Sequence, residues 1–392
     1  MIRSEAVLGL PEYQVTGIEH QQGRVTISAA HVAAVACPDC NGTSLRSKGR
    51  RKRRIRHETW GERHTWMEVE SRKWRCRQCG RTFWERLTGI LPGKRATERF
   101  RHSIFQQHWD GINRSRLSQR EGIGSATVER WSIDFLQREA AERRNALCPA
   151  VLGIDEHFFT RRKGYATTFC DLKGHKVFDV VLGRSEASLE EYLKRLPGRE
   201  RVRIICMDLS PVYRAIARKY FPNGKIVADR FHVIRLINHH FLACWREIDP
   251  VASKQRGLVS LMRRHRHHLK PEQRTRLEKY LSEHPLLKII YRFKQKLCYL
   301  LLKKHRTRKQ CEKLAPRFLS AVEQLRQFPK PQLAQLGETL HNWSEEIVRM
   351  WRFSRSNGIT EGFHTKMEVL QRQAYGFRNF AHYRLRVRAM CS

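Results

Sequence analysis

Polar and apolar positions change period along the chain, and each change predicts a different kind of element. Over roughly the first ninety residues, short stretches such as 24–28 and 65–69 alternate polar and apolar side chains, as small strands do. From residue 95 to about Asn145 the spacing is helical within a basic sequence, and Cys148-Pro149 marks a boundary. Residues 150–154 then form an apolar run that ends in Asp155. Runs 165–172 and 176–182 follow, each after a turn containing glycine (Gly164, Gly174), and the three read as a meander. Ser188 is the expected N-cap of a helix carrying Leu189, Tyr192, Leu193 and Leu196, with Glu191 completing a capping box. A fourth strand, 202–207, ends in Asp208; helix 211–221, strand 225–228 and helix 231–241 complete the order βββαβαβα. Over 242–350 no strand pattern occurs. Leu258, Leu261 and Met262, then Leu286, Leu287, Ile289, Ile290 and Phe293, recur near helical spacing between basic faces, which predicts an all-helical block. From Ser354 a last basic helix passes through Glu361 and Glu368 toward Tyr375-Gly376-Phe377.

Composition narrows what such a chain can do. Its 392 residues, 40% of them hydrophobic, suffice for buried cores in several domains. No run of about 18 apolar residues occurs, so no membrane span is expected. Nothing after Arg3 looks like a secretory leader, which makes the expected location cytoplasmic. The net charge of +39, from 77 Lys and Arg against 38 Asp and Glu, decides the class of partner. Such a surplus repels itself unless a polyanion neutralises it, and counterion release then makes nucleic-acid binding tight and steeply salt-dependent. A merely solvated cationic surface is the alternative. The surplus is rich in arginine, the better bidentate phosphate ligand, and clustered: seven of the nine residues from Lys48 to Arg56 are basic.

Eleven cysteines in an intracellular chain argue against a disulfide framework. Two pairs stand out, Cys37-Pro38-Asp39-Cys40 and Cys76-Arg77-Gln78-Cys79, separated by 35 residues. Four thiolates suit a closed, structural zinc site, with the basic stretch between the pairs read as a long loop. A redox dithiol, the alternative, usually needs one pair at a helix start. Residues 111–137 resemble a helix-turn-helix: Leu117 closes a first helix, Gly122-Ile123-Gly124 turns, and Ser125 caps a second. Ser125, Thr127 and Arg130 would face the DNA major groove, although a helical hairpin without DNA contact gives the same pattern. Asp155 and Asp208 stop the first and fourth strands of the βββαβαβ order, which can lie side by side. Both carboxylates would then share one mouth of the sheet, as two-metal phosphodiester chemistry requires. Either aspartate alone reads as an ordinary turn residue.

With these residues in view, the sequence resembles the ISL-three family of bacterial insertion-sequence transposases over nearly its whole length. The resemblance rests on Gly153-Ile154-Asp155-Glu156, Asp229-Arg230-Phe231-His232-Val233, Ser356-Asn357-Gly358 leading to Glu361-Gly362, and Tyr375-Gly376-Phe377-Arg378-Asn379-Phe380. It implies an RNase H-like core of the DDE type whose acidic triad is Asp155, Asp208 and Glu361, holding two Mg2+ (or Mn2+) ions. Asp229 and His232 match an accessory motif, with a helix-capping role as the alternative for Asp229. His364 stands where the family commonly has Asn, and Glu368, on the same helix face, is the fallback third carboxylate. Glu156 is expected to point away from Asp155, because neighbours on a strand alternate faces.

The expected fold is an α+β multidomain chain. It comprises a zinc-ribbon-like zinc-binding module (1–92), a helix-turn-helix DNA-binding domain (93–148), the first part of an RNase H-like α/β core (149–241), a helical insertion (242–350) and the core's C-terminal helix (351–392). The expected function is a DNA transposase that cleaves at terminal inverted repeats and joins the 3'-OH ends to target DNA. Its partners would be double-stranded DNA, at the repeats and the target, and further copies of itself, since element ends come in pairs. It would work in the bacterial cytoplasm, on nucleoid DNA and away from membranes. A catalytically inactive, domesticated sequence-specific DNA-binding regulator is the alternative. An RNase H-like nuclease acting on hybrids or junctions is less economical, since it leaves the recognition modules idle.

Overall fold

The computed structural model describes residues 8–142, 146–353, 358–374 and 376–391. Of the residues singled out above, Arg3, Asn145, Ser354, Ser356, Asn357 and Tyr375 lie outside them. The chain divides into two compact units, Met1–Ala141 with Gln371–Phe377, and Glu142–Leu370 with Arg378–Ser392.

In the first unit, β1 (Tyr13–Gln21), β2 (Arg24–His31), β3 (Leu45–Trp60), β4 (Arg63–Cys76) and β5 (Thr82–Trp84) form one sheet with the path β1-β2-β4-β3, β5 pairing on β4. Alternation holds where one face is buried: Val25 and Ile27 of β2 and Met67 and Val69 of β4 meet Tyr13, Ile55 and Leu87 in an apolar core. The basic stretch between the cysteine pairs is not a loop. It is one arm of a long hairpin, β3 against β4, turning at Gly61 with φ 60°. A ladder satisfies the backbone of such a segment while its long cationic side chains still reach water.

Three helices follow, α1 (Glu98–Trp109), α2 (Arg114–Glu121) and α3 (Ser125–Glu142), around Phe100, Ile104, Leu117 and Val128. Thr97 and Asn113 cap α1 and α2 through side-chain oxygens. Leu117 does not close a helix as its pattern suggested; it is buried in the middle of α2, which ends at Gly122 in the left-handed conformation, φ 62°. The Gly124 carbonyl accepts from the Thr127 and Val128 amides, so Ser125 is the first residue of α3 and not its cap. Sheet and helices, expected as separate domains, form one unit. Arg56 of β3 pairs its backbone with Arg95 and Thr97, and its buried guanidinium lies 3.5 Å from the Glu121 carboxylate.

In the second unit, β6 (Val151–Thr160), β7 (Gly164–Asp171), β8 (Lys176–Leu182), β9 (Ile204–Met207) and β10 (Lys225–Ala228) form a sheet with the path β10-β9-β6-β7-β8. The first three strands are an antiparallel meander, and β9 and β10 run parallel to β6 and β9 respectively. Helix α4 (Glu186–Arg195) leads from β8 toward β9, α5 (Pro211–Tyr220) from β9 to β10, and α6 (Arg230–Ile248) leaves β10. Two sequence expectations shift here. The cap of α4 is Ser185, not Ser188; the two serines exchange side-chain bonds in a capping box. And β6 does not stop at Asp155 but pairs with β7 as far as Thr160, because the meander gives it a partner beyond the point where β9 ends.

Helices α7 (Arg256–Arg263), α8 (Pro271–Glu283), α9 (Pro285–Leu301), α10 (Arg308–Arg326), α11 (Pro331–Asn342) and α12 (Ser344–Arg349) follow; α8, α9 and α11 each start on a proline, whose missing N–H is no loss in a first turn. A boundary at residue 242 falls inside α6, whose Phe241, Leu242 and Trp245 continue one apolar core from the sheet to Leu287, Phe318 and Trp351. Two last helices, α13 (Gly358–Gln373) and α14 (Phe380–Met390), follow. Arg384 of α14 donates to both oxygens of Asp179 on β8 at 2.7 and 2.6 Å, anchoring α14 to the edge of the sheet.

Candidate active site and zinc centre

The four thiols of the two knuckles converge in the first unit. Cys37 Sγ lies 3.5 Å from Cys79 Sγ and Cys40 Sγ lies 3.6 Å from Cys76 Sγ, with all four sulfurs within 4.8 Å of one another. A tetrahedral ion with Zn–S bonds of about 2.3 Å requires sulfurs about 3.8 Å apart, so the set fits structural zinc. Both turns are built alike: Asn41 (φ 57°) donates its amide to the Cys37 carbonyl and Gly80 (φ 75°) to that of Cys76. His57 and His64 are engaged elsewhere, by Thr97 Oγ1 and the Arg120 carbonyl at 3.0 Å each. On α3, Ser125 and Arg130 are exposed; Thr127 is half-buried and accepts from Arg130 Nη2 at 3.1 Å.

In the second unit the strand register places the acidic residues. Ile154 of β6 and Ala228 of β10 both stand opposite Met207 of β9, in one row across three parallel strands. Asp155, Asp208 and Asp229 are the next residue on each chain segment, near enough that the charges of Asp208 and Asp229 act on Asp155. Asp155 and Asp229 are buried and Asp208 is half-buried. Glu361 sits in the first turn of α13, and its charge is felt at Asp155. Burial pushes the Asp155 carboxyl up to about 7, against the hydrogen bond from the Glu156 amide and helped by the charges of Asp208, Asp229 and Glu361. Asp208 is raised as well, by burial first, with His232 opposing and Glu156 and Asp229 adding to the rise.

Buried carboxylates that raise one another's affinity for protons are a site a hard cation relieves. Asp208 Oδ1 is buried with no hydrogen-bond partner among the described residues, an oxygen free to bind one. Asp229 occupies the N-cap position of α6, yet its side chain makes no capping bond; His232 Nε2 lies 3.7 Å from its Oδ2. Glu156 points the other way, to Arg184 at 3.3 Å. Glu368 is exposed, whereas Glu361 is half-buried.

A polar network supports this row. Thr168 of β7 is the cross-strand partner of Asp155. Its hydroxyl lies 2.9 Å from His157 Nδ1 and 3.1 Å from His364 Nε2, and the Tyr383 hydroxyl lies 2.9 Å from His157 Nε2. Burial lowers both rings, His157 to about 3 and His364 to about 4, so each is neutral near pH 7 and carries one N–H. With Asp155 ionised, one direction of donation keeps a proton toward it. Tyr383 donates to His157 Nε2, His157 Nδ1–H to Thr168, and Thr168 to His364 Nε2, which leaves the His364 Nδ1–H facing Asp155 Oδ2 at 3.9 Å. The sequence reading missed His157, Thr168 and Tyr383. His157 did leave a signal, since it stands two residues after Asp155 and so on the same strand face.

A transposase family model matches residues 152–387, and a model of the zinc-finger of transposases IS204/IS1001/IS1096/IS1165 matches residues 33–79. Among curated proteins, the transposase for insertion sequence element IS1001 of Bordetella parapertussis is 24% identical over 364 residues, spanning 90% of this chain and 88% of that protein. The family match takes in the row of aspartates, the helical block, α13 and most of α14, and the second match takes in the four thiols: the chain belongs to the ISL3 (ISL-three) family of DDE transposases.

Proposed function

We propose that Asp155, Asp208 and Glu361 are the catalytic carboxylates of a transposase that cuts DNA at terminal inverted repeats and joins the freed 3'-OH ends to target DNA, within an RNase H-like core. The register row of Asp155, Asp208 and Asp229, with Glu361 acting on Asp155, is the observation that carries this reading. The three carboxylates would hold two Mg2+ or Mn2+ ions, which when bound activate the attacking oxygen and stabilise the leaving one. The rest is done by the chain itself. The Glu156 amide donates to Asp155 Oδ1 at 2.9 Å, and His364 Nδ1 faces Oδ2 at 3.9 Å, so the network borders the carboxylate without bonding to it. Asp229, buried and beside His232, adds negative potential at the end of the row and is the accessory group. Ser125, Thr127 and Arg130 read the repeats together with the zinc module, and the basic insertion runs along the DNA. Two or more copies bring the paired ends together.

Intact carboxylates in a mutually raised cluster disfavour the inactive regulator. Incubating the purified protein with DNA carrying the flanking element ends and Mg2+ tests the choice. Cleavage by the wild type but not by Asp155→Asn is expected; tight, specific binding without cleavage by the wild type would favour the regulator.

A further inference from the structure

The β6–β7 ladder runs on past the row of carboxylates. β9 pairs with β6 only as far as Ile154, whereas β6 and β7 stay paired to Thr160 and Gly164, so the hairpin projects beyond the acidic end of the sheet. Its two faces differ. On one, Phe159 is buried against Phe380 and Tyr383. On the other, the cross-strand partners Phe158 and Tyr165 meet edge to face with centroids 5.6 Å apart, yet remain 52% and 38% exposed. The Arg184 guanidinium lies 4.4 Å over the Tyr165 ring and pairs with Glu156, the one anion on this face that it meets among the described residues. Arg161, Arg162 and Lys163, all exposed, form the tip.

Folding does not ask for this surface. Two aromatic rings stand partly in water above an already buried neighbour, and three consecutive cations repel one another. A nucleic-acid strand relieves both, because bases stack on rings while phosphates neutralise the cations. A base inside a duplex has both faces covered by its neighbours, so only a base out of the stack can lie on these rings.

We propose that the β6–β7 hairpin holds an unpaired nucleotide of the DNA strand beside the cleaved bond. The base stacks on Phe158 and Tyr165, and Arg161, Arg162, Lys163 and Arg184 take the adjoining phosphates. Only the location of the bond rests on the catalytic reading of Asp155. Phe158 is three residues farther along β6, about 10 Å, which corresponds to about three nucleotides of one strand. Phe158 faces away from Asp155, so the strand crosses the edge of β6 that β9 leaves uncovered beyond Ile154.

The test uses the full chain, without divalent metal, on element-end duplexes carrying 2-aminopurine at single positions up to about four nucleotides from the cleaved bond, each nucleotide spanning about 3.4 Å. Binding by the wild type is expected to raise the fluorescence of one such position several-fold. At protein concentrations that saturate the DNA, Phe158→Ala combined with Tyr165→Ala should abolish the rise while the thermal midpoint stays near wild type, and Phe158→Trp should keep it. Alanines at Arg161, Arg162 and Lys163 should lower the salt dependence of binding by about 0.7 in slope per lost phosphate contact. A full fluorescence rise in the double alanine variant overturns the proposal. So does a fall in oligomeric mass in that variant with the rise intact, which would make the face a contact between copies of this chain. Since no cutting is read, the result stands apart from whether Asp155→Asn abolishes cleavage.

Discussion

His364 faces two partners at once, with Nε2 3.1 Å from the Thr168 hydroxyl and Nδ1 3.9 Å from Asp155 Oδ2. The bond on one nitrogen decides which nitrogen carries the proton, and hence what Asp155 meets. Thr168→Val keeps the shape and removes the hydroxyl that faces His364 Nε2, leaving the His364 tautomer unset while His157 keeps its Tyr383 partner. Losses of supporting hydrogen bonds of this kind typically weaken metal affinity or activity by about 10–100-fold. The Mg2+ concentration giving half-maximal cleavage should therefore rise about tenfold, and Thr168→Ser should restore it. An unchanged Mg2+ profile in Thr168→Val would show that the network does not position Asp155.

Asp155→Asn, Asp208→Asn and Glu361→Gln keep side-chain volume and remove one anionic ligand each. All three should lose cleavage and strand transfer with Mg2+, and DNA binding in gel shifts should persist or tighten, since a negative charge near phosphate has gone. Glu368→Gln, at an exposed position, should cut at near wild-type rates. The reverse outcome, with Glu361→Gln active and Glu368→Gln dead, would move the third carboxylate to Glu368.

Asp155 also makes a pH prediction for protein stripped of divalent metal. Its folded-state value is raised to about 7 from 3.8, so between those limits the folded protein holds a proton that the unfolded chain has released. The stability this proton contributes is fully present below pH 3.8 and is lost as pH rises toward 7. His157 and His364, lowered by burial, act in the opposite direction, losing stability as pH falls. The readout is therefore the thermal midpoint of wild type relative to Asp155→Asn, which should decline from acid to neutral pH and recover on adding Mg2+. A relative midpoint that climbs over the same range would contradict the assignment.

Freshly purified protein should carry about one zinc per chain, and Cys76→Ser should release it and loosen the first unit, because binding to a four-thiolate site is folding free energy. Metal analysis finding no zinc in unchelated protein would remove the claim.

Replacing Arg130, exposed on α3, with Ala should weaken binding to element ends by about 1–3 kcal/mol and leave random DNA less affected, if its guanidinium reads a base. An equal loss on both DNAs would reduce it to a phosphate contact.

Much of this molecule is decided locally. The strands Lys176–Leu182 and Lys225–Ala228 begin and end where their apolar runs do, and the proline-led helices open where proline's fixed φ permits. The four cysteines carry their chemistry in their spacing, and the paired carboxylates were visible as abrupt charges after apolar runs. Period and punctuation report which face of a segment is buried, and these features need nothing more. Other features depend on what a segment lies beside. The basic stretch after Leu45 has no apolar alternation, and only pairing with β4 makes it a strand. Asp155 reads as the end of β6 because the apolar run stops there, while pairing with β7 carries the strand onward. Asp229 joins the acidic row through the register of β10 on β9. Thr168, His157, Tyr383 and His364 meet across three separate stretches of sequence. Register and long-range contact are chosen by the packing of whole faces against one another. A residue's own neighbours in sequence therefore hold no record of them.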